Sequence, residues 1–485
     1  MARSLNIILA ILLLLPLTKP ADAQPVPREY RAVWLTTIMG LDWPRTRATS
    51  ADKREQQKEE LRRELNALQA CGINTVLFQT RIRGTMAYPS SIEPWDPAFT
   101  GTPGRDPGYD PLQFVIDEAH ARGMALHAWV VAFPICKTTT VKALGNKTLP
   151  RKHPELCQQS GDGYLMDPGV PATGDYIAEV CREIVSRYDV DGIHLDYIRY
   201  PEKVVSFDDS RTYRRYGGGM NKQAWRSANV TSVVRKVHAA VKGVRPWVKL
   251  SCSPVGKYAD LPRQSSKGWN ARDVVNQDAV SWYKEGLMDV LFPMMYFDGN
   301  HFYPFAADWA EQCGQGVVPG LGIYFLDPSE GKWQLPAIQR QMNVLRSMGM
   351  GGYAMFRSRF LTKNTRGLYD WTCDFNRRPA LPPAVQTIPQ LPPEKPQVQA
   401  RINGFKLSFN WNEATSTDPE APAGLPIYYN VYRLTPGEPV LLSAKQKETY
   451  FELTPALPAM LHACYGITAI DAYGRESEPT EIEAF

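Results

Sequence analysis

A chain of 485 residues, 44% hydrophobic and 22% charged, is long enough for two domains and apolar enough for a sizeable core. Its formal charge of +5 is small for this length and the basic residues are dispersed, so nucleic acid is not an expected partner. Beyond the N-terminus no apolar run approaches the ~20 residues of a membrane span, so none is expected.

The N-terminus, 1–23, reads as a secretory signal. Arg3 gives a positive start, 5–17 is almost entirely apolar, and Ala21-Asp22-Ala23 has the small-x-small form of a cleavage site before Gln24. No Cys follows the site to carry a lipid, so the mature protein is expected in a periplasm or outside the cell. The eight cysteines form no CxxC pair and no Cys/His cluster at zinc spacing, so no metal is expected. Cys71, Cys181 and Cys252 lie in apolar patterns and read as buried thiols, whereas Cys136 and Cys157 flank a loop and are candidates for a disulfide.

From 28 to 376, short apolar runs alternate with amphipathic stretches. Strands are predicted over 31–39, 73–81, 124–133, 190–200, 248–255, 290–297, 317–325 and 351–360. Helices are predicted over 52–70, 111–122, 173–188, 221–242, 272–285, 305–315, 335–347 and briefly after 363. This is the pattern of an α/β protein with a (β/α)8 TIM barrel and enlarged loops. A doubly wound open sheet is the competitor, but no GxGxxG follows the first strand and no cofactor is expected. Seven prolines between 377 and 396 suit a stiff, extended linker joining two independently folding units. Short alternating runs over 397–485, separated by turn residues, predict a small all-β sandwich with Trp411 in its core.

The segment VDGIHLDYIRYP (190–201) is the most informative in the chain. Strand alternation puts Ile193 and Leu195 on one face and Gly192, His194 and Asp196 on the other. A buried imidazole and carboxylate cost several kcal/mol unless satisfied, so this reads as the active-site end of a strand; a satisfied buried pair or a helix cap is the alternative. Asp191 faces the opposite side and reads as structural. In a (β/α)8 barrel the site gathers at the carboxyl ends of the strands. Those ends and the loops after them offer Trp34 and Asp42; then Arg81, Arg83, Tyr88, Glu93 and Trp95; then His127 and Trp129; then His194, Asp196, Tyr197 and Arg199; then Ser253; then Tyr296 and Asp298; and finally Tyr324. Aromatics mixed with Asp, Glu, Arg and His suit a sugar cleft, where pyranose faces lie on rings and charged groups bind hydroxyls. Tyr88 and Trp95, in a polar loop, are the stronger ligand candidates, whereas Trp34, Trp129 and Tyr324 serve equally well as packing.

REYRAVWLTT (28–37), SIEPW (91–95), GYDPLQFVIDEAHARGMALHAW (108–129), YDVDGIHLDYIRYP (188–201), VKLSCSPVG (248–256) and WYKEGLMDVLFPMMYF (282–297) together resemble the family-10-like glycosyl hydrolases. The match runs in order through nearly the whole barrel. It implies a (β/α)8 glycoside hydrolase, and members include a bacterial enzyme that cleaves peptidoglycan glycan strands stripped of their peptides. DAYGRESEP (471–479), near the C-terminus, makes the second domain resemble a fibronectin type III module. The chain departs from the family at VVAFPICK (130–137) and at Asp196-Tyr197, where relatives commonly carry an Asn-Pro segment and Asp-Asp.

Glycoside hydrolysis normally needs two carboxyl groups. Asp196 is the first candidate, with Glu93, Asp298 and Asp42 as candidate partners, and a polysaccharide or glycan strand is the expected substrate. The fifth strand ends without an acid, which keeps a non-catalytic glycan-binding protein in view. A metal-dependent amidohydrolase is the third reading, although the first strand lacks its His-x-His pair. Oligomeric state is not legible.

Overall fold

The computed structural model describes residues 26–202, 207–262, 264–404, 406–434, 439–454 and 463–483. The signal-like segment 1–23 lies outside the described residues.

The barrel strands are β1 (Tyr30–Leu35), β2 (Thr75–Arg81), β3 (Ala125–Val131), β4 (Gly192–Asp196), β5 (Lys249–Cys252), β6 (Val290–Leu291 and Met294–Met295), β7 (Gly320–Leu321) and β8 (Gly352–Met355). All neighbours run parallel. Pro293 interrupts β6: its first half pairs with β5 and its second half with β7, while β8 returns to β1. The sheet therefore closes on itself as the expected (β/α)8 barrel. The intervening helices are α1 (Ala51–Ala70), α2 (Pro111–His120), α3 (Pro171–Arg187), α4 (Lys222–Lys242), α5 (Ala279–Lys284), α6 (Tyr303–Cys313), α7 (Leu335–Ser347) and α8 (Leu368–Phe375).

Local chemistry sets these boundaries. Ser50 caps α1 by accepting from the Lys53 amide, and Asp110, followed by Pro111, caps α2 in the same way. In α1, Leu61, Leu65 and Leu68 fall on one stripe and are fully buried against the sheet, each worth roughly 1.5–3 kcal/mol. Several predicted elements come out shorter or broken. The helix expected over 272–285 splits at Asn276, which adopts a left-handed conformation (φ 62°). The strand expected over 317–325 ends at Leu321 and turns into a short 3-10 segment. β4 stops at Asp196 because Tyr197 also turns left-handed, at φ 51°.

Alternation along the strands produces two cores. Outward residues such as Val33, Phe78 and Leu195 pack under the helices, while Tyr30, Ala32, Trp34, Leu77, Trp129 and Phe292 fill the barrel interior. Gly192 is required here, because a Cβ would lie 2.7 Å from the His127 ring. After β3 a small antiparallel sheet (Pro134–Lys137, Gly163–Met166, Cys157–Ser160) is inserted. Cys136 and Cys157 stand on its two outer strands as free thiols, and no disulfide joins any cysteine among the described residues.

The C-terminal strands form two antiparallel sheets: Val398–Asn403, Lys406–Trp411 and Tyr450–Leu453 in one, and Val440–Gln446, Ile427–Leu434, Cys464–Asp471 and Thr480–Glu483 in the other. Leu407, Phe409, Trp411, Tyr429, Val431 and Ile467 form a shared core. The proline-rich stretch before them is fastened to the barrel floor. Arg31 Nη1 donates to the carbonyls of Asn376 (3.1 Å) and Arg378 (2.7 Å), and Asn74 Nδ2 donates to that of Ala380 (3.0 Å).

A charge cluster completes the attachment. Asp191, just before β4, accepts from Lys445 of the second sheet (2.7 Å), His120 of α2 (2.8 Å) and the Leu126 amide (2.8 Å). Burial alone would raise the Asp191 pKa, but Lys445 and His120 hold it well below the usual carboxylate range. Burial opposes protonation of His120, and the Asp191 charge and hydrogen bond outweigh it, so its pKa is raised. The His120 contribution is therefore complete below about pH 6.5 and fades as pH climbs through the raised value; the Asp191 contribution persists down into acid. Lys445→Ala is expected to lower stability by about 1–3 kcal/mol, between exposed and buried ion pairs. A urea midpoint unchanged from wild type would show that this contact contributes nothing.

Candidate active site

The barrel interior is layered by register. His127 lies level with Gly192, Trp129 with His194, and Val131 with Asp196, so Asp196 occupies the uppermost of these layers. Below it, His194 is fully buried: its Nε2 accepts from Trp34 Nε1 (3.2 Å), its Nδ1 contacts Ser251 Oγ (3.0 Å), and its ring meets the Phe292 edge. Burial, reinforced by His127, keeps His194 neutral well below its usual range. His127 is deeper still, and neither ring nitrogen has a partner among the described residues. Burial and the nearby Lys249 push its pKa down to about 3. Trp34, His127 and His194, expected at the mouth, are thus filling of the barrel. Residues of one strand face are stacked along its axis, and only the last reaches the opening.

Asp196 is that last residue. Its Oδ2 accepts from Trp129 Nε1 (3.1 Å), and its Oδ1 from Ser253 Oγ (2.8 Å) and the Tyr197 amide (2.8 Å). Burial raises its pKa; the hydrogen bond from Ser253 and the charge of Arg199 offset this only in part. Tyr197 stands exposed beside it, held left-handed at a cost of order 1–3 kcal/mol, as is common where a site dictates geometry. Tyr296 is the next neighbour: burial and the charge of Asp196 raise its phenol well above the usual range. Its ring packs on Phe356 (5.3 Å) and Tyr324 (5.8 Å), and burial pushes Tyr324 up to about 12. Arg199 lies over Tyr197 (4.7 Å), and Arg83 is exposed close enough for its charge to act on the Tyr197 phenol. Asp298 follows β6, half-buried, with Oδ1 accepting from the Gly299 amide (2.7 Å).

Other expected site residues are engaged elsewhere. Arg81 and Glu93, both fully buried, form a two-point ion pair (2.8 and 2.6 Å), and Tyr176 also donates to Glu93 (2.9 Å). Asp42 is buried, accepting from Thr36 Oγ1 (2.6 Å) and Arg357 Nη1 (2.5 Å). Tyr88 is buried and donates to Glu183 of α3 (2.7 Å), so it offers no surface to a ligand. Trp95 is half-buried in the same loop, its backbone bridged to Met86. Polar side chains of this loop are met by the barrel around it: Tyr88 and Ser90 donate to Glu183 of α3, and Glu93 pairs with Arg81. Ser253, offered by the end of the fifth predicted strand, sits just past β5 and donates to Asp196. Trp269, whose ring lies 5.3 Å from the Arg199 guanidinium carbon, has no periodic signal in its loop that points to the site. A hollow of about 820 Å³ lies between α2 and the C-terminal sheet at the opposite end, and holds none of these residues.

The family model for "Glycosyl hydrolase-like 10" matches residues 29–316, more than half of the chain. The chain belongs to this family. Glycosyl hydrolase YngK of Bacillus subtilis (strain 168) is 30% identical over 495 residues, covering 95% of this chain and 94% of the relative. Glycosyl hydrolase DigH of Escherichia coli (strain K12) is 32% identical over 379 residues, covering 71% and 86%. Among solved structures, the PgaB (BpsB) glycoside hydrolase domain from Bordetella bronchiseptica is matched at TM-score 0.48 and 14% identity, over 71% of this chain and 98% of that one. This family member is a glycoside hydrolase and acts on glycans.

Proposed function

We propose that this protein is an exported hydrolase of polysaccharide glycosidic bonds, with peptidoglycan glycan strands as its substrate and Asp196 as a catalytic acid/base. The observation that carries this reading is the Asp196 carboxyl. It ends a barrel strand, is desolvated to a raised pKa, and is oriented by Trp129, Ser253 and the Tyr197 amide. A raised pKa suits a group that must hold a proton at working pH and deliver it to the glycosidic oxygen. Tyr197, Tyr296 and Tyr324 supply ring faces for sugars around it. Asp298 is the favoured second carboxyl, because Glu93 and Asp42 are each committed to a buried guanidinium. Export rests on the N-terminal segment, and the C-terminal sheets, read as a fibronectin type III-like module, serve as a contact domain.

Incubation of the mature chain with peptide-free glycan strands and a panel of other polysaccharides tests the reading. Short oligosaccharides with new reducing ends are expected by mass spectrometry, and binding without any release would favour the non-catalytic alternative. Asp298→Asn is expected to lower the rate by about 10²-fold or more if it is the partner. Wild-type turnover in that variant would remove it from the mechanism.

A further inference from the structure

Arg199, beside Asp196, carries a guanidinium whose commitments among the described residues are incomplete. It is 6% exposed, and its Nε has no hydrogen-bond partner among the described residues. Its only ion-pair contact among them is a loose one, Nη2 to Glu202 Oε1 at 3.5 Å, on a carboxylate side chain that is 43% exposed. The cation lies between two aromatic rings, with Tyr197 at 4.7 Å and Trp269 at 5.3 Å from the guanidinium carbon. Ring faces hold a cation in place, but they do not use its in-plane N–H donors. Arg81, by contrast, spends its fork on Glu93, and Arg357 donates to Asp42. Arg199 also lines a small cleft whose other walls include Phe133, Met166, Tyr200 and Pro201. A buried cation with a free edge in an apolar cleft is costly when empty and favours a planar anion arriving with the substrate.

We propose that Arg199 is a specificity determinant that receives a free carboxylate carried by a sugar bound next to Asp196, so that the enzyme selects acidic glycans. This rests on the glycoside hydrolase reading of the Asp196 site. A carboxylate fits the guanidinium fork with two parallel hydrogen bonds; a secondary amide in its place supplies one neutral acceptor and no second one, only an N–H donor that a cation cannot use. Two sources carry the required group. One is a lactyl ether arm, whose carboxyl is free on peptide-free strands and converted to an amide when a peptide is attached. The other is a uronic acid.

The test compares four substrates with the full-length enzyme: peptide-free glycan strands, the same strands with carboxyls converted to methylamides by carbodiimide coupling, an oligouronate, and a neutral N-acetylglucosamine oligomer. Wild-type kcat/KM is expected to be at least about 100-fold higher on an acidic substrate than on its neutral counterpart, with the difference mainly in KM. Preference for the strands over their methylamides assigns the lactyl arm, and preference for the oligouronate assigns the uronic acid. In Arg199→Gln the acid-to-neutral ratio should collapse to within about tenfold, and Arg199→Lys should restore only part of it, because an ammonium lacks the fork. Equal wild-type kcat/KM on strands and methylamides, with no turnover of the oligouronate, would overturn the proposal while leaving the hydrolase reading intact. If nothing is cleaved, that reading fails instead, and calorimetric binding of strands and methylamides then decides on Arg199 alone. Binding of strands at least about 100-fold tighter supports it, and equal binding rejects it.

Discussion

Asp196→Asn is expected to lower kcat on glycan strands by about 10³-fold or more, equivalent to at least ~4 kcal/mol of barrier, while the protein stays folded. The exchange keeps size and shape. Asn Oδ1 can still accept from Ser253 and the Tyr197 amide, and only the Trp129 Nε1 hydrogen bond meets a donor instead of an acceptor. That loss is countered by removal of a carboxylate whose ionised form is disfavoured by burial, so the melting temperature should change little. The amide can neither give nor take a proton. If Asp196 is the acid, substrates with good aryl leaving groups should lose much less than natural strands, because their departure needs little protonation. In the wild type, activity should fall as pH rises through the raised Asp196 pKa, since the proton it must donate is then lost. An Asp196→Asn protein that keeps a third of the wild-type rate is not compatible with this assignment. One that unfolds would make Asp196 a structural group of the barrel mouth.

The barrel was legible because its alternation is a property of consecutive residues. Apolar strands eight times alternating with amphipathic stretches leave few other ways to bury both faces of each strand. Asp196 stood out for the same reason: a charge at the end of an apolar run needs a cause. What the sequence could not distinguish is depth along the barrel axis. His194 and Asp196 share one strand face, as do His127 and Trp129, yet a two-residue step separates a packed interior from the mouth. Nor could it show which charges pair across the fold. Asp42 meets Arg357 from the other end of the barrel sequence, 315 positions away. Lys445, in a domain expected to be independent, meets Asp191 at the start of the site-bearing strand, 254 positions away. The prolines of 377–396 read as a stiff, extended linker. Their carbonyl-rich backbone, lying against Arg31 and Asn74, was invisible to composition.

Glu93→Gln is expected to be a stability variant rather than a catalytic one, costing about 3–5 kcal/mol. The Glu93 side chain is 1% exposed and that of Arg81 is 0% exposed, so neither charge has water to fall back on. Arg81 uses its remaining edge on the Val131 and Ala132 carbonyls, tying β2 to the end of β3, while Tyr176 links Glu93 to α3. Glutamine keeps an acceptor for one guanidinium nitrogen but presents an amide to the other, leaving a buried cation without a counter-charge. Since whole domains are stable by only ~5–15 kcal/mol, such a loss should be plain as a lower urea midpoint with an unchanged slope. Replacing both partners, as Arg81→Met with Glu93→Gln, should recover part of it, because the uncompensated charge is gone. Below its unfolding transition, the Glu93→Gln protein should turn over within a few-fold of wild type. The reverse pattern, intact stability with a loss near 10³-fold in kcat, would make Glu93 the second catalytic carboxyl and Arg81 the group that orients it.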